Sequence, residues 1–228
     1  MKISEVFTSI QGEGILAGVP SLFIRTSGCN LRCVWCDTPY ASWNPEGEDW
    51  PVDRIVDWAV SQPVFRHAVL TGGEPMIQPQ LPELAERLAA LGLHITIETA
   101  GTVFAELPCH LLSLSPKLAG STPPGDAPDG WAGRHERLRI NEDVLLRLTG
   151  RYDYQLKFVV SSPSDLDEIH SLARFCRTPP DRVLLMPEAR TVEQLHARGP
   201  WVAEICQRTG YRYCPRLHIE MYGNRRGV

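Results

Sequence analysis

Gly28-Cys29-Asn30-Leu31-Arg32-Cys33-Val34-Trp35-Cys36-Asp37-Thr38 sets three cysteines on one short loop, spaced C-x3-C-x2-C. Cysteine thiolates hold iron–sulfur clusters, usually four to a cluster. Three on one loop can hold three irons of a four-iron cubane and leave the fourth iron without a protein ligand. Zinc also takes thiolates, but it closes its tetrahedron with four ligands, in pairs such as C-x2-C. The nearest histidine to this loop is His67. Three cysteines so close cannot all pair as disulfides. The spacing marks a metal site, with an iron–sulfur cluster, zinc or unliganded thiols as its readings.

Outward from this loop, short apolar runs alternate with helical patterns. Candidate strands are 21–26, 67–71, 94–99, 110–115, 153–160, 182–186 and 212–219. Val52, Ile55, Val56 and Ala59 keep i, i+3, i+4, i+7 spacing, as do Leu81, Leu84, Ala85 and Leu88, the pattern of helices with one buried face. Asn141 and Ser164 stand where helix caps belong. Such alternation predicts βα units and a mainly parallel sheet.

Polar motifs sit where strands end. Arg25 and the cysteine loop follow the first, Thr71-Gly72-Gly73-Glu74-Pro75 the second, Glu98-Thr99 the third and Ser115-Pro116-Lys117 the fourth. In βα barrels the C-terminal strand ends build the active site, so these motifs are expected to converge on one mouth. A closed eight-fold barrel takes about 250 residues. At 228 residues, with loop insertions near 39–51 and 116–134, the chain predicts one α/β domain over 1–228 folded as a partial, open (β/α) barrel. The Pro- and Gly-rich stretch 116–134 is expected to sustain neither helix nor strand.

Composition narrows the class. Hydrophobic residues make up 43%, enough for a substantial core, and a net charge of −4 carries no basic footprint for nucleic acid. The first residues lack the charged and apolar regions of a secretion signal, and no run reaches about eighteen uninterrupted apolar residues, so neither export nor a membrane span is expected. With seven cysteines, the reducing cytoplasm is the expected location. Cys109, Cys176, Cys206 and Cys214 are scattered, and Cys176 and Cys206 read as small buried residues.

Glycines at a strand end let backbone approach a ligand closely. The C-x3-C-x2-C loop with the Gly72-Gly73-Glu74-Pro75 strand end resembles the radical S-adenosylmethionine (SAM) superfamily. That resemblance implies a 4Fe-4S cluster on Cys29, Cys33 and Cys36, with SAM chelating the open iron. Reductive cleavage of SAM then provides a 5′-deoxyadenosyl radical that takes a hydrogen atom from substrate. Ser9-Ile10-Gln11-Gly12-Glu13-Gly14, Phe23-Ile24-Arg25, Cys36-Asp37-Thr38, Ser115-Pro116-Lys117 and Arg216-Leu217-His218-Ile219-Glu220 further resemble the 7-carboxy-7-deazaguanine synthase family. Its members convert 6-carboxy-5,6,7,8-tetrahydropterin to 7-carboxy-7-deazaguanine with loss of ammonia, a step towards queuosine and other 7-deazapurines.

By this resemblance Trp35, Cys36, Asp37, Gly73, Ser115, Pro116 and Lys117 contact SAM. Ile10, Gln11 and Gly12 meet the pterin through backbone groups, Arg25 and Thr71 also touch it, and Thr38 is a magnesium (Mg2+) ligand. A flavodoxin-like electron donor is expected, and no catalytic side chain beyond the cofactor-derived radical; the apolar strand edges of an open barrel lead separately to the expectation of a homodimer.

Residue chemistry bears on each assignment. Arg25 presents a planar fork suited to a carboxylate, with a salt bridge to Glu5 or Glu13 as the plainer alternative. One neutral Thr38 hydroxyl binds magnesium weakly, so metal and substrate are expected together. Residues 11–14 read as a surface turn unless the segment folds back over the mouth. Lys117 alone reads as a solvated lysine. Glu74 and Glu98 are candidates for orienting SAM or its loops. Trp43, Trp50 and Trp131 are candidates for packing over the mouth, and His218 is placed in the last strand. Two other readings are a glycyl-radical activating enzyme and a non-catalytic zinc-binding module.

Overall fold

Successive side chains of a strand point to opposite sides of its sheet, and here the two sides differ in chemistry. Leu22, Ile24, Leu70, Ile95, Ile97, Leu112, Leu114, Leu156, Phe158 and Leu185 belong to one buried apolar core. Their alternates Phe23, Arg25, Thr71, Glu98, Ser113, Lys157 and Met186 line a cavity. The computed structural model, which describes residues 1–228, shows how the strands carrying them are ordered.

β1 (Lys2–Ile10) runs antiparallel to β2 (Pro20–Thr26) and to a short edge strand, β3 (Glu48–Asp49). Parallel pairing then continues through β4 (His67–Gly72), β5 (His94–Thr99), β6 (Leu111–Leu114), β7 (Tyr154–Val160), β8 (Val183–Pro187) and β9 (Arg212–Tyr213). The order is β3-β1-β2-β4-β5-β6-β7-β8-β9, and β9 does not pair with β3, so the barrel stays open. No helix is long and apolar enough to cross a membrane.

Helices α1 (Val52–Val60) and α2 (Leu81–Ala90) bury the expected stripes, Val52, Ile55, Val56, Ala59 and Leu81, Leu84, Ala85, Leu88. α3 (Trp131–Leu138), α4 (Glu142–Arg151), α5 (Leu166–Phe175), α6 (Val192–Thr209) and α7 (Leu217–Tyr222) complete the chain. Asn141 caps α4, accepting the Val144 amide at 3.3 Å. Cys176 and Cys206 are buried in the core, as their apolar settings suggested.

Four expectations are corrected. β1 has no clean alternation: it carries an irregularity between Ile3 and Glu5, and most of its residues are half-buried, so period-2 patterning misses it. The segment 212–219 is strand only at Arg212–Tyr213; Pro215 ends it and α7 follows, so His218 is helical. Ser162, not Ser164, closes the capping box ahead of α5, with Asp165 as its partner and Pro163 at the first turn position. The stretch 116–134 carries short 3-10 turns at Ala119–Ser121 and Pro128–Gly130 and enters α3 at Trp131, once Gly130 has taken a left-handed turn (φ +65°).

Beneath the barrel, His67 links three strands. Ser21 Oγ donates to the Val19 carbonyl at 2.8 Å, so His67 Nδ1 must carry the proton shared with Ser21 Oγ at 2.6 Å. Its Nε2 then accepts from Thr96 Oγ1 at 2.7 Å. Burial, with His94 beside it, pushes His67 down to about 4. A histidine near 6.5 in the unfolded chain binds a proton that the folded chain refuses, so this contribution is full above about pH 6.5 and fades as pH falls towards 4. The melting temperature of the metal-free chain should therefore fall between pH 7 and 4.5, and fall less steeply in His67→Gln. Parallel pH profiles for the two proteins contradict this account.

Candidate active site

All the strand-end motifs open into one cavity of about 460 Å³. Ile10, Gln11, Gly12, Arg25, Cys29, Cys33, Trp35, Cys36, Asp37, Thr38, Thr71, Gly73, Ser115 and Lys117 line it, as do Glu98 and His218. Pro116 and Glu74 are buried and do not line it. Trp43, Trp50 and Trp131 do not cover the mouth. Trp43 Nε1 donates to the Cys33 carbonyl at 3.0 Å, and Trp50 and Trp131 stack beneath Arg54 and Arg32.

The cysteine loop lies against the end of β4. A side chain on Gly73 would overlap the carbonyls of Gly28 and Ala41 and reach the Cβ of Cys29 at 2.8 Å, so only glycine allows this approach. Glu74 anchors the same turn. Its carboxylate accepts Thr99 Oγ1 at 2.7 Å, the Ala100 amide at 2.8 Å and the Met76 amide at 3.1 Å, joining the ends of β4 and β5.

All three thiols are free of disulfides and open to one cavity. Burial, with Glu74 close by, pushes Cys29 up to about 12; burial does the same to Cys33. Both are therefore protonated without metal, and metal binding must release those protons. No three histidine, cysteine or acidic side chains converge on one point as ligands of a single ion do. Thiolates binding three different irons need no such point, and the clustered, unpaired thiols suit that group.

Across the cavity, Lys117 is not simply solvated: its Nζ donates to Ser115 Oγ at 2.9 Å and stands 5.8 Å from the Trp35 ring. Arg25 does form the salt bridge to Glu5, through Nε at 2.7 Å. Its two terminal nitrogens keep no hydrogen-bond partner, and the residue still lines the cavity. Glu98 gathers the Thr71 hydroxyl at 2.8 Å and the Gln11 amide group at 3.1 Å.

Residues 11–14 are no surface turn; they cross the concave side of the barrel. The Gly14 amide meets Cys214 Sγ at 3.1 Å, and the Ile15 amide donates to Gln155 at 2.8 Å. The Gln11 amide is engaged by the Val19 carbonyl, and the Gly12 carbonyl accepts the Leu217 amide at 3.0 Å. The Gly12 N–H has no such partner. A side chain at Gly12 would overlap the His218 imidazole, which explains the glycine.

Sequence reasoning missed the charges that hold this crossing. Glu13 pairs with Lys157 and, at 3.0 Å, with Arg216. Arg216 also reaches Asp37 at 2.5 Å and the Ala189 carbonyl. Burial opposes ionisation of Glu13, but Lys157 and Arg216 outweigh it and hold the carboxyl far below its usual range. Asp37 is likewise lowered, with Arg216 outweighing burial. Residues 224–228 also line the cavity. No periodic pattern announces them; the polar Lys157 between apolar Leu156 and Phe158 was the one readable signal.

Three free thiols beside a glycine strand end, in an open parallel barrel, define a radical SAM fold, and the model of the Radical SAM superfamily matches residues 23–117. The 7-carboxy-7-deazaguanine synthase of Halobacterium salinarum is 47% identical over 98% of this chain and 91% of its own length. That of Rhodopirellula baltica is 46% identical over 99% and 88%. The chain belongs to the 7-carboxy-7-deazaguanine synthase family. The crystal structure of QueE from Escherichia coli shares the fold, with a TM-score of 0.70 at 24% identity over 95% of this chain and 94% of that one.

Removing one partner of a buried ion pair costs about 3–5 kcal/mol. Arg216→Leu takes the cation from Asp37 and leaves Glu13 with Lys157 alone, so urea unfolding of the metal-free chain should show a loss approaching that size. A loss below about 1 kcal/mol contradicts the buried network, since that is the scale of exposed pairs.

Proposed function

We propose that this chain converts 6-carboxy-5,6,7,8-tetrahydropterin to 7-carboxy-7-deazaguanine, the compound in its relatives' name, with release of ammonia. The observation carrying this reading is that the unpaired end of Arg25 and the three free thiols open into one cavity. Its volume lies within the usual range for small-molecule sites. A 4Fe-4S cluster held by Cys29, Cys33 and Cys36, with SAM, supplies the radical that abstracts hydrogen, chemistry beyond any side chain. Trp35, Cys36, Asp37, Gly73, Ser115, Pro116 and Lys117 form the SAM side of the site. Of these, Pro116 acts from behind the wall by shaping the Ser115–Lys117 segment.

The protein's own groups bind and orient. Arg25 offers a two-pronged cation to the substrate carboxylate, while Glu5 fixes the guanidinium through Nε. Ile10, Gln11, Gly12 and Thr71 face the pterin, with Gln11 and Thr71 steadied by Glu98. Thr38 gives magnesium a single neutral oxygen, and its neighbour Asp37 is already held by Arg216. Thr38 would therefore hold Mg²⁺ only together with the substrate carboxylate and waters, so metal and substrate would bind together.

The electron donor is an acidic, flavodoxin-like protein. Arg32 and Arg134 both stack on Trp131 at 4.1 and 4.4 Å, and Arg190 bonds the Val34 carbonyl at 3.2 Å. None of the three has a carboxylate partner, although all border the cluster loop. We place the enzyme in the cytoplasm, in keeping with seven free thiols, and as a homodimer. Val60, Val64 and Leu91 leave apolar surface at the barrel end away from the cavity.

Anaerobic chain reconstituted with iron and sulfide, then given SAM, reductant, Mg²⁺ and 6-carboxytetrahydropterin, should form 7-carboxy-7-deazaguanine. Cys29→Ala, Cys33→Ala and Cys36→Ala should each abolish product. SAM cleavage without deazaguanine would instead indicate another radical reaction, such as activation of a partner protein. A colourless protein holding one zinc overturns the reading altogether.

Arg25→Lys keeps the charge but loses the fork. It should raise KM for the pterin at least tenfold while leaving SAM binding unchanged. Chelating Mg²⁺ should slow turnover, and equal rates with and without the metal remove Thr38 from its assigned role.

A further inference from the structure

His135, on α3, is fully buried (0% exposed) and no part of it lines the active-site cavity. Its Nδ1 accepts the backbone N–H of Arg32 at 3.0 Å. Its Nε2 lies 2.9 Å from Ser121 Oγ, and that hydroxyl donates to the Leu118 carbonyl at 2.6 Å. One neutral tautomer satisfies the chain: Nδ1 accepts from Arg32, Nε2–H donates to Ser121 and Ser121 donates to Leu118. The Ser121 carbonyl also accepts the Val34 N–H at 2.9 Å.

Arg32 and Val34 flank Cys33. Both of their amides are held by the stretch 118–135, while Trp43 holds the Cys33 carbonyl from the other side at 3.0 Å. The cysteine loop between Gly28 and Thr38 has no helix or strand of its own to hold it. One helical turn before His135, Trp131 supports the Arg32 guanidinium at 4.1 Å, and this group donates to the Cys29 and Leu31 carbonyls at 2.8 and 2.7 Å. The Pro- and Gly-rich insertion thus reaches the loop on both sides of one cysteine.

We propose that His135 is a positioning residue for the cysteine loop: by accepting the Arg32 amide it fixes Cys33 towards the cavity before any metal arrives. The function assigned to the loop rests on the proposed cluster chemistry, but the clamp itself belongs to the metal-free chain. Its chemistry is specific, because the loop needs a hydrogen-bond acceptor at the position of Nδ1. Asn places its Oδ1 close to that position. Gln places its amide end nearer the position of Nε2. Leu fills the space without accepting.

Timed alkylation of the reduced, metal-free full-length chain, read cysteine by cysteine by mass spectrometry, tests the clamp. His135→Leu should speed alkylation of Cys33 at least tenfold and leave the distant buried Cys176 and Cys206 at their wild-type rates. His135→Asn should restore slow Cys33 alkylation, and His135→Gln should not. Iron retained after anaerobic reconstitution should follow the same order. Unchanged Cys33 reactivity in His135→Leu overturns the proposal. So does equal acceleration of all three thiols, which would mean a general loss of fold, or equal behaviour of Asn and Gln. A clamp that behaves as described in a wild-type chain that takes up no iron–sulfur cluster contradicts the proposed function and leaves the clamp standing.

Discussion

One guanidinium holds the working parts of this protein together. Arg216, from the last segment of the chain, reaches Glu13 on the crossing segment at 3.0 Å and Asp37 on the cysteine loop at 2.5 Å. Lys157 on β7 supplies the second cation against Glu13. Each charge taken from water carries a penalty of several kcal/mol, which is offset only when partners and hydrogen bonds are complete. Here each charge has at least one opposite partner, and Arg216 also donates to the Ala189 carbonyl. Segments from the first, second and last parts of the sequence are thereby fixed relative to one another, around a barrel whose backbone pairing leaves it open.

That openness puts demands on side chains. A closed barrel seals its interior by strand pairing alone, whereas this sheet ends on two-residue strands at both edges. Residues 11–14 and the turn into α7 cross the concave side instead. Residues 11–14 need small residues at their close contacts: Gly12 lies under His218 of α7, and Gly14 beside Gln155 of β7. The outer side of the sheet carries an ordinary apolar core against the helices. The inner side carries Arg25, Thr71, Glu98, Ser113 and Lys157 among a few apolar residues such as Phe23 and Met186. The alternation along each strand thus separates stability from chemistry.

The irregular segments serve the site in a different way. The 39–51 excursion contributes Trp43 to the Cys33 carbonyl and Tyr40 to Glu5, at 3.0 Å each. The 116–134 insertion leads into the helix that bears His135. Loops without their own secondary structure are held by side-chain-to-backbone bonds, and such bonds leave no periodic trace in sequence.

From sequence alone came the thiol trio, the strand-end motifs, the parallel βα order and the two amphipathic helices, because each is a local pattern of spacing or period. Arg25 and Thr71 were legible as polar residues at strand ends. Glu13, Lys157, Arg216 and His135 were not legible as partners, since their meaning lies in groups brought together from distant parts of the chain. β1 escaped notice for want of alternation, and α7 was read as strand because six residues hold too few turns to show a helical period. Local periodicity determined which elements form and which strand ends carry chemistry. Tertiary structure alone decided how the open side is crossed and braced, because that depends on charges and hydrogen bonds between residues far apart in the chain.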